Sequence, residues 1–161
     1  MRATCLRLVL IVLAACGGSY QTAERATGAV DRGETNGRTF EFVSNTPEGD
    51  DWQVRIRDSS MWASYSEGED SKELKPVNLD KRETRKLWDL IDFLELHDRK
   101  KGKQDEDEGY VVLRLREPGG DEGHDLITVY VSRATEDQSV LDVGGYLQIL
   151  IKKYHRTDAE F

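Results

Sequence analysis

The stretch Trp52-Gln53-Val54-Arg55-Ile56-Arg57 alternates large apolar side chains with polar or basic ones at every position. A period of two puts Trp52, Val54 and Ile56 on one face of an extended chain and Gln53, Arg55 and Arg57 on the other, so the segment reads as a strand buried on one side only. Phe40-Glu41-Phe42 shows the same alternation, and Asn45-Thr46-Pro47-Glu48-Gly49-Asp50 between the two carries turn residues. Together they predict a hairpin in a folded region that starts at Arg38. Met61 to Ser66 reads as a third strand after the turn Asp58-Ser59-Ser60. Its inward face is ambiguous, because Trp62 and Tyr65 are out of phase.

The same pattern recurs further along. Val111, Leu113 and Leu115 alternate with Val112, Arg114 and Arg116, and Ile127, Val129 and Val131 alternate with Thr128 and Tyr130. Pro118-Gly119-Gly120-Asp121 supplies the turn of this second hairpin. Between the hairpins, Asp80 followed by Glu83 fits a capping box, and Leu87, Leu90, Ile91 and Leu94 repeat at helical spacing, predicting an amphipathic helix over 81–96. Near the end of the chain, Ser139 with Asp142 three residues on reads as the cap of a second helix with Val143, Leu147, Leu150, Ile151 and Tyr154 as its stripe, ending near His155. Gly144 and Gly145 weaken its first turns by up to about 1 kcal/mol each relative to alanine, which suggests a close approach of helix to sheet.

The order is βββαββα. It implies an α+β fold: a mostly antiparallel sheet with both helices on one face, burying the apolar sets of four strands in a single domain over 38–161. The segment HDRKKGKQDEDEG, His97 to Gly109, has no apolar residue to bury and reads as a solvated loop or disordered insertion.

Charge excludes some partners. The 161 residues hold 23 basic and 31 acidic side chains, a net charge of −8, with 37% hydrophobic residues arranged in defined blocks. A chain this acidic is a poor overall match for nucleic acid or anionic lipid surfaces.

At the amino terminus, Arg2 and Arg7 precede the apolar run Leu8 to Ala15, which closes on Leu13-Ala14-Ala15-Cys16. The run falls within the roughly 7 to 15 residues of a signal-peptide h-region and short of the roughly 20 that span a bilayer. This segment resembles the lipobox of bacterial lipoproteins. The resemblance implies cleavage before Cys16, lipidation of its thiol and anchoring in the membrane; the other reading is an ordinary secretory signal cut elsewhere. Residues 1–15 are then a signal peptide and 16–37 a lipidated amino terminus and flexible tether. A Gly-containing coil of about 21 residues has an r.m.s. reach of about 25 Å. Cleavage removes Arg2 and Arg7, leaving 21 basic against 31 acidic residues and a net charge of −10. Of the two cysteines, Cys5 would be removed and Cys16 consumed, so the mature domain would be held without disulfides. Gly17, rather than Asp, after the cysteine resembles lipoproteins sorted to the outer membrane.

The folded region has a second resemblance. Trp52-Gln-Val-Arg-Ile56, the helix ending Leu90-Ile-Asp-Phe-Leu-Glu-Leu96, the strand pair around Val111 and Val129 and the closing helix look like the small emfourin-type bacterial proteins, some of which inhibit metallopeptidases. It covers residues 38 to 154, with Asn45-Thr46-Pro47-Glu48-Gly49-Asp50 in place of that family's glycine-rich first turn.

No catalytic constellation stands out. His97, His124 and His155 lack the helical spacing of a zinc site, and no nucleophile motif or P-loop occurs, so the chain reads as a non-enzyme with no metal or cofactor. Asp105, Glu106, Asp107 and Glu108 lack calcium-loop spacing and read as a solvated run that Arg99, Lys100, Lys101 and Lys103 neutralise. The remaining constellation comes from strand alternation, which places Arg55, Arg57, Arg114, Arg116, Tyr110 and Tyr130 together on the outer sheet face. Arg and Tyr are enriched at protein interfaces. These six are therefore candidate partner-binding residues; the competing reading is routine outward residues paired with neighbours such as Glu41. The expected function is a lipid-anchored binding module of the cell envelope that acts on another exported protein, as a peptidase inhibitor or immunity protein. The alternative is a structural or assembly lipoprotein of an outer-membrane, secretion or motility machine.

Overall fold

A computed structural model describes residues 37–119 and 123–161. The expected signal segment, Cys16, the tether before Gly37 and the Gly120-Asp121 part of the second hairpin turn lie outside the described residues.

The chain runs β1 (Thr39–Asn45), β2 (Trp52–Arg57), β3 (Ser60–Glu67), β4 (Asp70–Glu73), β5 (Val77–Asn78), α1 (Lys81–Phe93), β6 (Tyr110–Pro118), β7 (His124–Ser132) and α2 (Gln138–His155). The strands form one seven-stranded sheet in the order β4-β3-β2-β1-β6-β7, with β5 pairing β3, and each pairing is antiparallel. The α+β class and the mostly antiparallel sheet with two helices are as the sequence implies. Two short strands are added. Asp70–Glu73 is exposed at all four positions and pairs with β3, so it has no hydrophobic alternation to announce it.

The inward sets are as expected. Phe40, Phe42, Val54, Ile56, Leu113, Leu115 and Val129 are buried against Leu87, Trp88, Ile91, Val143, Leu147, Leu150 and Ile151 of the helices. Register settles the ambiguous third strand: Arg57 pairs with Ser60, so Met61 and Ala63 turn inward and are buried while Trp62 turns outward. Tyr65 turns inward and stacks on Trp52, with ring centroids 4.7 Å apart. The core is sealed at that end by Phe161, whose ring lies 4.9 Å from that of Phe42.

Helix α1 has the expected capping box. Asp80 Oδ1 accepts from the N–H groups of Arg82 and Glu83, each at 2.9 Å, and Glu83 Oε2 accepts from Asp80 N–H at 3.0 Å. The helix stops at Phe93 rather than at 96, because Glu95 turns left-handed at φ 49°. Leu94 and Leu96 nonetheless remain buried, from the turn that follows.

Helix α2 starts two residues earlier than a Ser139 cap would place it, and its cap is Asp137. Asp137 Oδ1 accepts from both the N–H and the hydroxyl of Ser139, at 3.1 and 2.7 Å. Ser139 is buried, and its hydroxyl is taken up by the Asp137 carboxylate and the Arg99 guanidinium rather than by its own helix end. Gly144 is the point of close approach: a Cβ there would sit 3.5 Å from Phe42 Cζ, whereas one at Gly145 would meet nothing within 4 Å.

The segment His97–Gly109 is largely exposed, but it is anchored at specific points. Arg99 donates to Leu94 O at 2.5 Å, to Asp137 Oδ2 at 2.7 Å and to Ser139 Oγ at 2.6 Å. Lys101 O accepts from Tyr130 N–H at 2.7 Å, which closes part of the β7 edge. Gly102 has φ 70°, and a Cβ there would run into Tyr130 O, so the loop needs glycine at that point. Arg99 therefore serves the helix cap and does not neutralise the acidic run.

Candidate functional site

With both helices on the inner face, no helix of the described residues covers the other side of the sheet. Register arranges its side chains in rows across the strands. One row runs Leu126, Arg116, Thr39, Arg57, Ser60; the next runs Thr128, Arg114, Glu41, Arg55, Trp62. A third holds Tyr130, Val112, Val43, Gln53 and Ser64.

All six candidate residues lie on this face, but they separate into two groups. Arg55, Arg57, Arg114 and Arg116, with Thr39, Glu41, Trp62 and Leu126, line an open depression of about 720 Å³. Tyr110 and Tyr130 pack on each other outside it, with ring centroids 6.2 Å apart, beside the buried Val112. The tyrosines therefore shield an apolar patch at one end of the face and the arginines ring a polar basin at the other.

The strands hold the arginines without much help from counter-charges. Arg114 Nη1 lies 3.3 Å from Glu41 Oε2, and Arg57 Nε lies 4.0 Å from its neighbour Asp58. Arg55 and Arg116 form no ion pair among the described residues. Arg55 instead places its guanidinium 5.6 Å from the centroid of the Trp62 ring. The pairing with Glu41 thus accounts for one arginine of four, and the basin carries four positive charges against one negative. Such a cluster in an acidic protein attracts anions locally and is screened over about 8 Å at physiological ionic strength.

Thr39, Glu41, Trp62 and Leu126 complete the basin and were not among the candidates. For Trp62 a signal existed: Met61 and Ala63 are the smaller and more consistently apolar set, and they claim the inward face. For Leu126 the signal is the alternation of β7 itself: with Ile127 and Val129 inward, Leu126 turns outward, where it is 58% exposed.

The other charged residues have local tasks. His97 Nε2 lies 2.7 Å from Glu117 Oε2, and Arg38, buried against Trp88, reaches Glu117 and Asp92 at 2.7 and 2.6 Å. His124 opens β7 opposite Pro118, and burial pushes His155 below the ordinary histidine range. Hydrogen bonds from the Ser132 side chain and Glu108 N–H hold Asp105 below the usual carboxylate range. Among the described residues no group of three His, Cys, Asp or Glu side chains is arranged to hold a metal ion, and no helix is long and apolar enough to cross a membrane.

No protein-family model matches the chain, and no curated protein matches it.

Proposed function

We propose that this protein is a lipid-anchored binding module of the bacterial cell envelope, tethered through Cys16 and presenting its outer sheet face to another exported protein. The observation that carries the reading is the uncovered face itself: four arginines and Trp62 converge on one basin of a chain whose net charge is −8. Soluble two-layer folds often leave one face of an antiparallel sheet in water, but such faces are ordinarily of mixed polarity. Four arginines around one glutamate, with an aromatic beside them, bring together residue types enriched at interfaces.

Inhibition of a peptidase and immunity against an effector are the concrete forms of this role, and neither requires a catalytic group on this chain. The anchor supports the same reading, since several acyl chains hold a protein stably at a membrane where a single chain binds reversibly. Gly17 after the cysteine favours the outer membrane.

Two measurements test the proposal. Wild-type protein should fractionate with membranes and Cys16→Ser protein with the soluble envelope fraction; equal membrane retention of both would remove the anchor. Affinity capture with the lipidated chain should then yield one exported protein, and charge reversal at Arg55 and Arg114 should abolish the capture. Recovery of a multi-component membrane machine would favour the structural or assembly role instead.

A further inference from the structure

Building on the outer-face reading, we propose that the arginine basin is a clamp for a carboxylate-rich segment of the partner, and that Glu41 is the chain's own competitor for that clamp. Arg55 and Arg57 are two residues apart on β2, and Arg114 and Arg116 two apart on β6, with β1 running between them. Neighbouring positions on one face of a strand are about 7 Å apart and alternate strands about 10 Å apart, so the four arginines stand at the corners of a rectangle. The repeat of about 7 Å along each flank is the spacing of side chains two apart in an extended peptide, so carboxylates at alternate positions meet successive arginines.

The chemistry of the corners fits the same ligand. Guanidinium groups bind carboxylates through two parallel hydrogen bonds, a geometry that lysine cannot supply. Leu126 stands beside Arg116 at one end of its row and Trp62 beside Arg55 at one end of the next, offering apolar contacts at opposite margins of the basin. Because the chain as a whole is acidic, an acidic segment is disfavoured over most of its surface and steered toward basic patches such as this one.

Glu41 occupies the centre, paired in register with both Arg55 and Arg114 but in ion-pair contact with Arg114 alone. A bound carboxylate must compete with it for Arg114. Its removal should therefore strengthen binding, an effect opposite to that of losing a structural ion pair.

The test uses the full-length chain in detergent and a fluorescein-labelled peptide of alternating glutamate and threonine, read by fluorescence anisotropy. The glutamate peptide should bind at least tenfold more tightly than its glutamine counterpart, and at least tenfold more tightly to wild type than to Arg55→Glu/Arg114→Glu. The milder Arg55→Gln/Arg114→Gln protein guards against misfolding of the reversal and should also bind more weakly than wild type. Glu41→Gln should tighten binding about threefold, and Lys100→Glu, on the loop between α1 and β6, should leave it unchanged. Unchanged or weaker binding by Glu41→Gln, or equal losses in the Lys100 and arginine variants, would overturn the clamp. So would arginine-dependent binding of phosphatidylglycerol vesicles in preference to the peptide. If the peptide fails to bind while the arginine variants still abolish capture of an exported partner, the acidic ligand class is wrong and the outer-face reading stands.

Discussion

Arg55 and Trp62 face each other across β2 and β3, the guanidinium 5.6 Å from the ring centroid, on the side of the sheet that neither helix covers. Trp52 and Trp88 are buried, so Trp62 is the tryptophan that reports on the outer face. Iodide should quench its emission more efficiently than the neutral quencher acrylamide does, because the arginines concentrate anions around it. In Arg55→Glu that iodide preference should disappear while acrylamide quenching stays the same. Equal iodide quenching in both proteins would show that the basin has no usable positive potential.

The anchor of the loop between α1 and β6 is also the cap of α2. Asp137 accepts from Arg99 and from Ser139, and these hydrogen bonds hold its carboxyl well below the ordinary value of 3.8. Asp137→Ala should cost about 2 kcal/mol, combining loss of an N-cap with loss of the partner of a largely buried guanidinium. Urea denaturation checks it. A cost under about 0.5 kcal/mol would mean that the loop is not tied to the helix through this residue.

Glu83 gives the fold an acid-sensitive contact between its helices. Burial opposes ionisation of Glu83, but hydrogen bonds from Lys153 at 2.5 Å, from Tyr154 at 2.6 Å and from Asp80 N–H outweigh it, and its pKa falls below the ordinary 4.5. A carboxyl with a lowered pKa binds fewer protons folded than unfolded, so its contribution is complete above pH 4.5 and is lost as pH falls below it. Wild type should exceed Glu83→Gln by about 1 kcal/mol at pH 7, and the gap should shrink progressively below pH 4.5. A gap that is independent of pH would rule out the charge as its source.

The adjacent glycines of α2 should respond differently to substitution. Gly145→Ala meets nothing within 4 Å and should raise stability by about 0.5 to 1 kcal/mol through helix propensity. Gly144→Leu has to displace Phe42 and Phe161 and should cost about 1 to 3 kcal/mol. Thermal unfolding of the two variants gives the comparison directly, and equal effects would contradict the packing at Gly144.

Much of this architecture is legible in the sequence, for a definite reason. Phe40, Phe42, Val54, Ile56, Leu113 and Leu115 alternate strictly because one face of each strand is buried and the other is wet, and that contrast writes itself into a period of two. The same contrast places Arg55, Arg57, Arg114 and Arg116 together on the wet face. Where burial does not discriminate, the pattern is silent. Asp70–Glu73 is exposed throughout, and Trp62 resembles a core residue until the pairing of Arg57 with Ser60 orients it. The His97–Gly109 loop looks structureless because its order comes from Arg99 reaching residues 38 and 40 positions away, and no local spacing encodes that reach.

Two exposed surfaces compete as the site of partner contact. One is the arginine basin with Leu126, and the other is the pair of helices, where Phe93 and Ile149 are 66% and 61% exposed. Placing a photoreactive benzoylphenylalanine at Leu126, Thr128, Phe93 or Ile149 of the full-length protein and irradiating intact cells distinguishes them. The outer-face reading predicts a discrete cross-linked product from positions 126 and 128, lost on charge reversal at Arg55 and Arg114. A product from positions 93 or 149 alone, indifferent to those arginines, would contradict it.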